Sequence, residues 1–299
     1  MSIDQFSYGL LTPVLAYAMS SVGSLLGLLL ASRARLIGGR ESRFWLAGAA
    51  LAIGGTGIWT MHFIAMIGFA VEGAEIHYDV PLTAASALLA VAVVGAGLFL
   101  VFRRGEQGSR PIAGGEQGSR PIVRGEQGSR VAGDRQGSHL IAGGVLTGLG
   151  VAGMHYLGMT GMRLDGHISY DPVTVVLSVA IAIAAATAAL WFSLRVRGAL
   201  RTGGAALVMG AAVSGMHYTG MYAMAVEVHS GGTTVGGTEP IDFLVPLVVG
   251  VSVVTVGLLL AVLLSPSERE VRAEREFQDR MLGRERGAPE TDLFGTPRG

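Results

Sequence analysis

Long apolar stretches recur along the chain and alternate with shorter segments that carry the charges and prolines. A helix needs about 20 consecutive, mostly apolar residues to cross the hydrocarbon core of a bilayer, and seven stretches reach that length. The pattern therefore predicts an all-α, polytopic membrane protein with seven transmembrane helices. The predicted spans cover residues 8–31, 44–70, 81–102, 140–162, 172–194, 203–226 and 241–264.

Composition agrees with a membrane protein. Of the 299 residues, 50% are hydrophobic and 15% are charged, whereas a soluble domain has roughly a quarter of its residues charged. The chain has no Cys, which excludes disulfides and thiolate metal sites. Its first residues, MSIDQFSYGL, include an acid and no basic residue, so they lack the basic region that begins a cleaved signal peptide. We therefore expect the first span to be retained.

Charge predicts the orientation of the spans. All 22 residues counted as Lys or Arg are Arg, and all except Arg163 follow the first, third, fifth or seventh span. The opposite loops carry acids such as Glu72, Asp79 and Asp171. Because loops rich in positive charge stay in the cytoplasm, we predict an outer N-terminus and a cytoplasmic C-terminus. The Arg-rich loops thus indicate topology and not binding of nucleic acid.

A sequence motif occurs three times, each time at the outer end of an even-numbered span. The copies are WTMHFIAM at 59–66, AGMHYLGM at 152–159 and SGMHYTGM at 214–221. Each is followed by a loop with another His (His77, His167 or His229) and then by an acid close to a Pro, which is typical of a helix start. The chain is therefore predicted to consist of one leading helix and three repeated helix pairs.

Two segments lie outside the predicted membrane core, which belongs to a domain over residues 1–264. Residues 103–139 contain GEQGSR three times and have little to bury, so we predict a disordered cytoplasmic linker. Residues 265–299 are rich in charge and are predicted to form a cytoplasmic tail. This tail is too short for a catalytic output domain.

The spacing of His and Met predicts a metal site. On a helix, positions i, i+4 and i+7 share one face, and these positions hold His155, Met159 and Met162 in the second copy. The third copy has His217, Met221 and Met224, and the first has His62, Met66 and Phe69. Imidazole and thioether ligands without thiols favour Cu(I) over Zn or Mg.

Each motif taken alone is also compatible with ordinary packing, since Met commonly fills membrane cores. Three copies at one depth favour a shared site, because ionisable residues within spans are usually functional. The small-residue pairs Gly144/Gly148 and Ala211/Gly215 would allow the even-numbered spans to approach closely and bring the three imidazoles together.

These motifs resemble the MHYT-domain family of bacterial integral membrane sensors. The four letters are intact at 216–219, and the other copies read MHYL at 154–157 and MHFI at 61–64. The resemblance covers about residues 10–264 and implies a multi-pass protein of the bacterial inner membrane. By matching positions, it implies copper ligands at Met61, His62, Met66, Met154, His155, Met159, Met216, His217 and Met221.

The resemblance also implies a function. Such a protein would bind copper, sense a diatomic gas such as oxygen, carbon monoxide or nitric oxide, and contact membrane lipid. No catalytic motif is visible, so we expect no enzymatic activity and signalling through a cytoplasmic partner. Two alternatives remain open: a copper transporter, which copper flux in vesicles would reveal, and a haem- or quinone-binding redox protein, for which a Soret band would indicate haem.

Overall fold

The computed structural model describes residues 3–107, 125–228, 236–238 and 240–266, together with 270, 273–274, 276–278 and 280–281. The chain divides into two compact units, Met1–Leu259 and Leu260–Gly299. The sites considered below lie in the first unit.

Long helices account for most of the first unit. Helix α1 spans Leu11–Ile37. The next membrane segment is one continuous rod made of α2 (Ser42–Ala50), a π-helical segment (Leu51–Trp59) and α3 (Thr60–Ile67). The remaining helices are α4 (Val80–Gln107), α5 (Gly125–Thr160), α6 (Pro172–Arg195), α7 (Ala199–Tyr222) and α8 (Pro240–Leu264).

Five of the described helical segments are long and apolar enough to cross a membrane. They cover residues 11–37, 42–67, 80–103, 137–160 and 172–195. Helix α7 has 24 residues, of which five are Gly, and is not among these five segments. The apolar part of α8 is shorter, Val249–Leu264. The all-α membrane class is therefore confirmed, while the count of seven spans stays a prediction.

Six short strands, which the sequence did not predict, lie where α3, α5 and α7 end. Strand β1 (Ile3–Asp4) pairs with β2 (Ala70–Val71), β3 (His77–Tyr78) with β4 (Met162–Arg163), and β5 (Gly166–Tyr170) with β6 (Met224–Val228), all antiparallel. Four of them have two residues each, which is too few to show the alternation by which strands are recognised. We call this the strand end of the bundle, and the opposite one the Arg end.

The strands link the three repeats in a closed ring. The β3–β4 ladder joins the first repeat to the second, and the β5–β6 ladder joins the second to the third. A bridge between Tyr78 and Thr238 joins the third repeat back to the first. The ends of the three motif helices are thereby held next to one another.

Two of the predicted helix starts are confirmed in detail. The Asp171 carboxylate accepts a hydrogen bond from the Thr174 backbone N–H at 2.9 Å and caps α6. The Asp79 carboxylate accepts one from the Leu82 N–H at 3.1 Å at the start of α4. The third predicted cap, Glu239, lies outside the described residues.

The segment predicted as a linker is partly helical. Helix α4 continues to Gln107 and α5 begins at Gly125, so residues 103–107 and 125–139 extend the two helices. Adding residues to an existing helix costs little once the helix is nucleated, which explains why polar residues can prolong it. Residues 108–124 lie outside those described.

The ion pair between Asp79 and Arg163 connects the first two repeats. Hydrogen bonds from the Leu82 N–H and from Arg163 hold the pKa of Asp79 below its ordinary value. Folding thus favours the ionised carboxylate of Asp79. Its contribution to the stability of the fold is complete above the usual Asp pKa of about 4 and is lost as the pH falls through the lowered pKa of the folded state.

Asp79→Asn keeps a capping side chain but removes the charge. We expect it to lower the thermal unfolding midpoint slightly at pH 7 and to flatten the acid decline of that midpoint below about pH 4. Arg163→Gln should reproduce part of this effect. A variant whose midpoint follows the wild-type curve at every pH would contradict it.

Candidate metal centre

The three motif histidines lie at the same depth in the bundle. His62 is in α3, His155 in α5 and His217 in α7, and these helices end at residues 67, 160 and 222. Each imidazole therefore lies five residues before the end of its helix, just beneath the strand end.

The three rings meet around one point. The Nδ1 atom of His62 lies 3.0 Å from Nδ1 of His217 and 3.2 Å from Nδ1 of His155. Ring centroids are 5.0–5.1 Å apart, and the ring planes are close to perpendicular, at 80–89°. Each residue is 1% exposed. We call this group the histidine trio, and its convergence agrees with the expectation from the sequence.

The tautomers of the three imidazoles decide what the trio can bind. A neutral imidazole has one N–H and one lone pair, and the Nε2 atoms of His62 and His155 are buried without a hydrogen bond. If the Nε2 atoms carry the protons, all three Nδ1 lone pairs face one another, which is unfavourable unless a cation lies between them. In this tautomer the three Nδ1 atoms fit a metal ion.

The spacing also fits a metal ion. Ligands about 2.0 Å from a tetrahedral metal are about 3.3 Å apart, close to the observed Nδ1 separations of 3.0 and 3.2 Å. Such a site would keep a fourth position open for another ligand. Within the part of the chain that the structure describes, the trio is the one group of three or more His, Asp or Glu residues placed to hold an ion.

Two glycines make room for the rings. A Cβ atom added at Gly158 would lie 2.6 Å from Nε2 of His62, and one added at Gly220 would overlap Nε2 of His155. Each glycine lies three residues after the His of its own helix, and the rings of His62 and His155 each pack against the glycine of the next repeat. The first copy has Ala65 at this position. This role was not predicted from the sequence, although Gly three residues after the His in two copies was a visible signal.

The motif methionines separate into two groups, and all of them are buried. Those four residues after each His, namely Met66, Met159 and Met221, share one apolar cluster with Met162 and Met224. We call these five residues the methionine cluster. Those one residue before each His lie elsewhere: Met61 packs with Ala16 and Ala65, and Met216 lines a cavity. All nine ligand assignments stay predictions.

The predicted small-residue pairs do not contact the helices that we expected. A Cβ atom at Gly144 would collide with Thr187, and one at Gly148 with Ile183, so this small-residue pair packs against α6. A Cβ atom added at Gly215 would meet nothing within 4 Å. The expectation that these pairs join the even-numbered spans was therefore wrong, and the trio converges without them.

The loop histidines do not join the trio. In the strand register, His77 in β3 lies opposite Arg163, and His167 in β5 lies opposite Glu227. Neither belongs to the group of converging ligand atoms found among the described residues. His229 lies outside the described residues, and the roles of all three stay open.

Comparison with known sequences agrees with the motif. The sequence profile of the MHYT family, described as a bacterial signalling protein N-terminal repeat, matches residues 55–114 and 148–206. These ranges contain the first and second motifs, whereas the third lies beyond them. No solved structure gives a significant match.

The relatives are larger signalling proteins. The bifunctional diguanylate cyclase/cyclic di-GMP phosphodiesterase MucR of Pseudomonas aeruginosa is 34% identical over 271 residues, which are 89% of this chain and 35% of MucR. The signalling protein YkoW of Bacillus subtilis is 31% identical over 70% of this chain and 23% of its own length. The cyclic di-GMP phosphodiesterase NbdA of P. aeruginosa is 32% identical over 59% of this chain and 20% of NbdA.

The chain thus spans about a third or less of the relatives it matches, and the match falls in the region that carries the repeated motif. The repeats found in the sequence and the trio that they form agree with this assignment. The chain therefore belongs to the MHYT-repeat family of bacterial membrane signalling proteins.

Proposed function

We propose that this protein is a membrane sensor module whose histidine trio binds a single copper ion. The observation that carries the proposal is the meeting of three buried imidazoles, with Nδ1 atoms 3.0 and 3.2 Å apart, at one depth on three different helices. A neutral imidazole is the commonest metal ligand in proteins.

The chemistry around the trio favours copper among the possible ions. No carboxylate belongs to the group of converging ligands in the described chain, which disfavours Mg²⁺ and Ca²⁺ because they prefer oxygen. Imidazole binds zinc and copper alike, whereas thioethers select Cu(I). The methionine cluster begins one helical turn beyond each His and supplies thioethers on the side of the strand end.

Sensing would use the fourth position of the ion, where a gas molecule would replace a methionine thioether. A diatomic gas such as oxygen, carbon monoxide or nitric oxide that binds there would change the distances and angles that the metal prefers to its three His ligands. Because each ligand is on a separate helix, such a change moves α3, α5 and α7 relative to one another. The Arg35 side chain links two further helices, since it donates to the carbonyls of Ser193 and Val196 where α6 ends.

The output would reach the cytoplasm. In the orientation that the Arg-rich loops favour, the strand end faces the periplasm and the Arg end faces the cytoplasm. MucR and NbdA are named for making or breaking cyclic di-GMP. We infer that the module passes its signal to an enzyme of that kind and has no catalytic role itself.

An apolar interior supports sensing over copper transport. The cavity on the Arg side of the trio is lined mainly by Ala, Val, Leu and Ile side chains, with two Met residues. These side chains offer few ligands to a desolvated ion, and a charge moved into such surroundings without ligands is strongly destabilised. A transporter would need a continuous path of ligands.

The ligand set can be tested at the methionines. Purified wild-type protein should contain about one copper ion per chain, as expected for a single site. Replacing Met66, Met159 and Met221 together by Leu keeps the apolar volume nearly constant. We expect Cu(I) affinity, measured by competition with a chelator, to fall at least about tenfold because a soft ligand is lost.

Met209→Leu is a matched control, since Met209 is buried on α7 but outside the methionine cluster. It should leave the affinity unchanged. If the triple Met variant also kept the wild-type Cu(I) affinity, the thioethers would serve packing alone and the preference for copper over zinc would lose its support.

A further inference from the structure

An apolar cavity of about 40 Å³ lies on the Arg side of the histidine trio. Fifteen residues from the π-helical segment and helices α4, α5, α6 and α7 line it, and most of them are less than 9% exposed. The cavity exists because α6 presents alanines where larger side chains would fill the space. These are Ala182, Ala185, Ala186 and Ala189, spaced so that they share one helix face.

The cavity lies about one helical turn from the trio. Its lining includes Ile58, Val151 and Val213, each four residues before a motif histidine. Residues four apart are neighbours on a helix face, about one turn or 6 Å along the axis. These three side chains therefore form a ring beneath the trio, one from each repeat, and Met216 lies beside them next to His217.

The lining offers almost no free hydrogen-bonding groups to a water molecule. Its two hydroxyl groups are already used, because Thr147 donates to the carbonyl of Val93 at 3.3 Å and Ser193 donates to the carbonyl of Ala189 at 2.9 Å. A buried water needs two to four polar partners, whereas cavities lined by aliphatic side chains stay dry and take up apolar molecules.

The size of the cavity selects small molecules. A single water molecule requires roughly 10–15 Å³ of cavity volume. A cavity of about 40 Å³ therefore has room for a molecule of two or three heavy atoms or for a xenon atom, but not for a lipid chain or a quinone ring.

We infer that this cavity is a binding site for one small, neutral, apolar molecule of the size of dioxygen, which reaches the histidine trio through the ring of Ile58, Val151 and Val213. The link to the trio rests on the proposed metal centre, but the cavity site itself does not. The site would raise the local concentration of an apolar gas directly beneath the trio.

Xenon can test the site in copper-free protein. In lipid nanodiscs with labelled Ile methyl groups, the NMR shifts of Ile53 and Ile58 should change and saturate as xenon pressure rises. Ile141 is 61% exposed within a candidate membrane span, so its shift should change linearly as xenon dissolves in the bilayer. A linear response at all three positions would overturn the inference.

Variants locate the bound xenon. Ala186→Leu places a larger side chain in the cavity and should weaken xenon binding at least about tenfold, while Leu190→Ala should strengthen it by adding volume. Ala184→Leu is the matched control, because Ala184 is exposed and two residues away on the same helix. Saturable binding that survives Ala186→Leu, or that Ala184→Leu also removes, would overturn the assignment.

Copper content separates this inference from the proposed function. A wild-type protein that binds xenon in the cavity but no copper would contradict the metal centre and leave the cavity site standing. A protein that binds copper at the trio but no xenon would contradict the cavity site alone.

Discussion

Replacing His62, His155 and His217 together by leucine should abolish bound copper, a fall from about one ion per chain to none, because all nitrogen ligands of the site are lost. The three rings are 1% exposed and contact one another. Their replacement by apolar side chains removes buried polar atoms that lack partners, so the variant should still fold into the membrane. Metal analysis of the purified protein measures the copper, and gel filtration in detergent checks the fold.

His167→Leu is the control for this experiment. His167 lies on an exposed position of β5 and outside the trio, so its loss should leave the copper content unchanged. Carbon monoxide gives a second readout, since an infrared C–O band of the reduced, copper-loaded protein should appear in the wild type and in His167→Leu. Equal copper in the wild type and in the triple variant would refute the site.

Gly158→Ala and Gly220→Ala should each weaken copper binding by about 10- to 100-fold, the range typical of changes around metal ligands. The added methyl group would lie at 2.6 Å from His62 Nε2 in the first variant and would overlap His155 Nε2 in the second. Each ring must therefore turn away from the common point. Alanine also favours a helix over glycine by about 1 kcal/mol, so a loss of copper would not reflect a weaker helix.

Two other glycines on the same helices provide controls. A Cβ atom at Gly153 of α5 would meet only Leu89 at 3.8 Å, an ordinary contact, and one at Gly215 of α7 would meet nothing within 4 Å. Gly153→Ala and Gly215→Ala should keep the wild-type affinity in the same chelator titration. If all four variants bound copper equally well, the imidazoles could not be held in place by the neighbouring repeat.

The sequence predicted the depth of the site and its histidines because both follow from local spacing. A motif that recurs at the end of three apolar segments places His62, His155 and His217 at one level, whatever the packing of the helices. The helix starts at Asp79 and Asp171 were predictable for the same reason, since a cap depends on residues within one turn.

Packing between distant segments could not be predicted in this way. Gly144 and Gly148 showed that α5 has a face for close approach, but only the structure showed that α6 occupies it. The π-helical segment over Leu51–Trp59 has no distinctive periodicity, and the short strands depend on pairing between repeats. The glycines beside the rings could be read in the sequence, but their contact with the imidazoles could be recognised only from the position of the next repeat.

The closest nitrogen pair of the trio joins His62 and His217, which are 155 residues apart in the chain. During biosynthesis, a chain that has emerged only as far as α6 possesses two of the three imidazoles. Contacts between residues so distant in sequence form late, because the intervening chain must first be ordered. A metal ion held by all three imidazoles would therefore bind only after the last repeat has entered the bilayer, and not as a nucleus around which the bundle assembles.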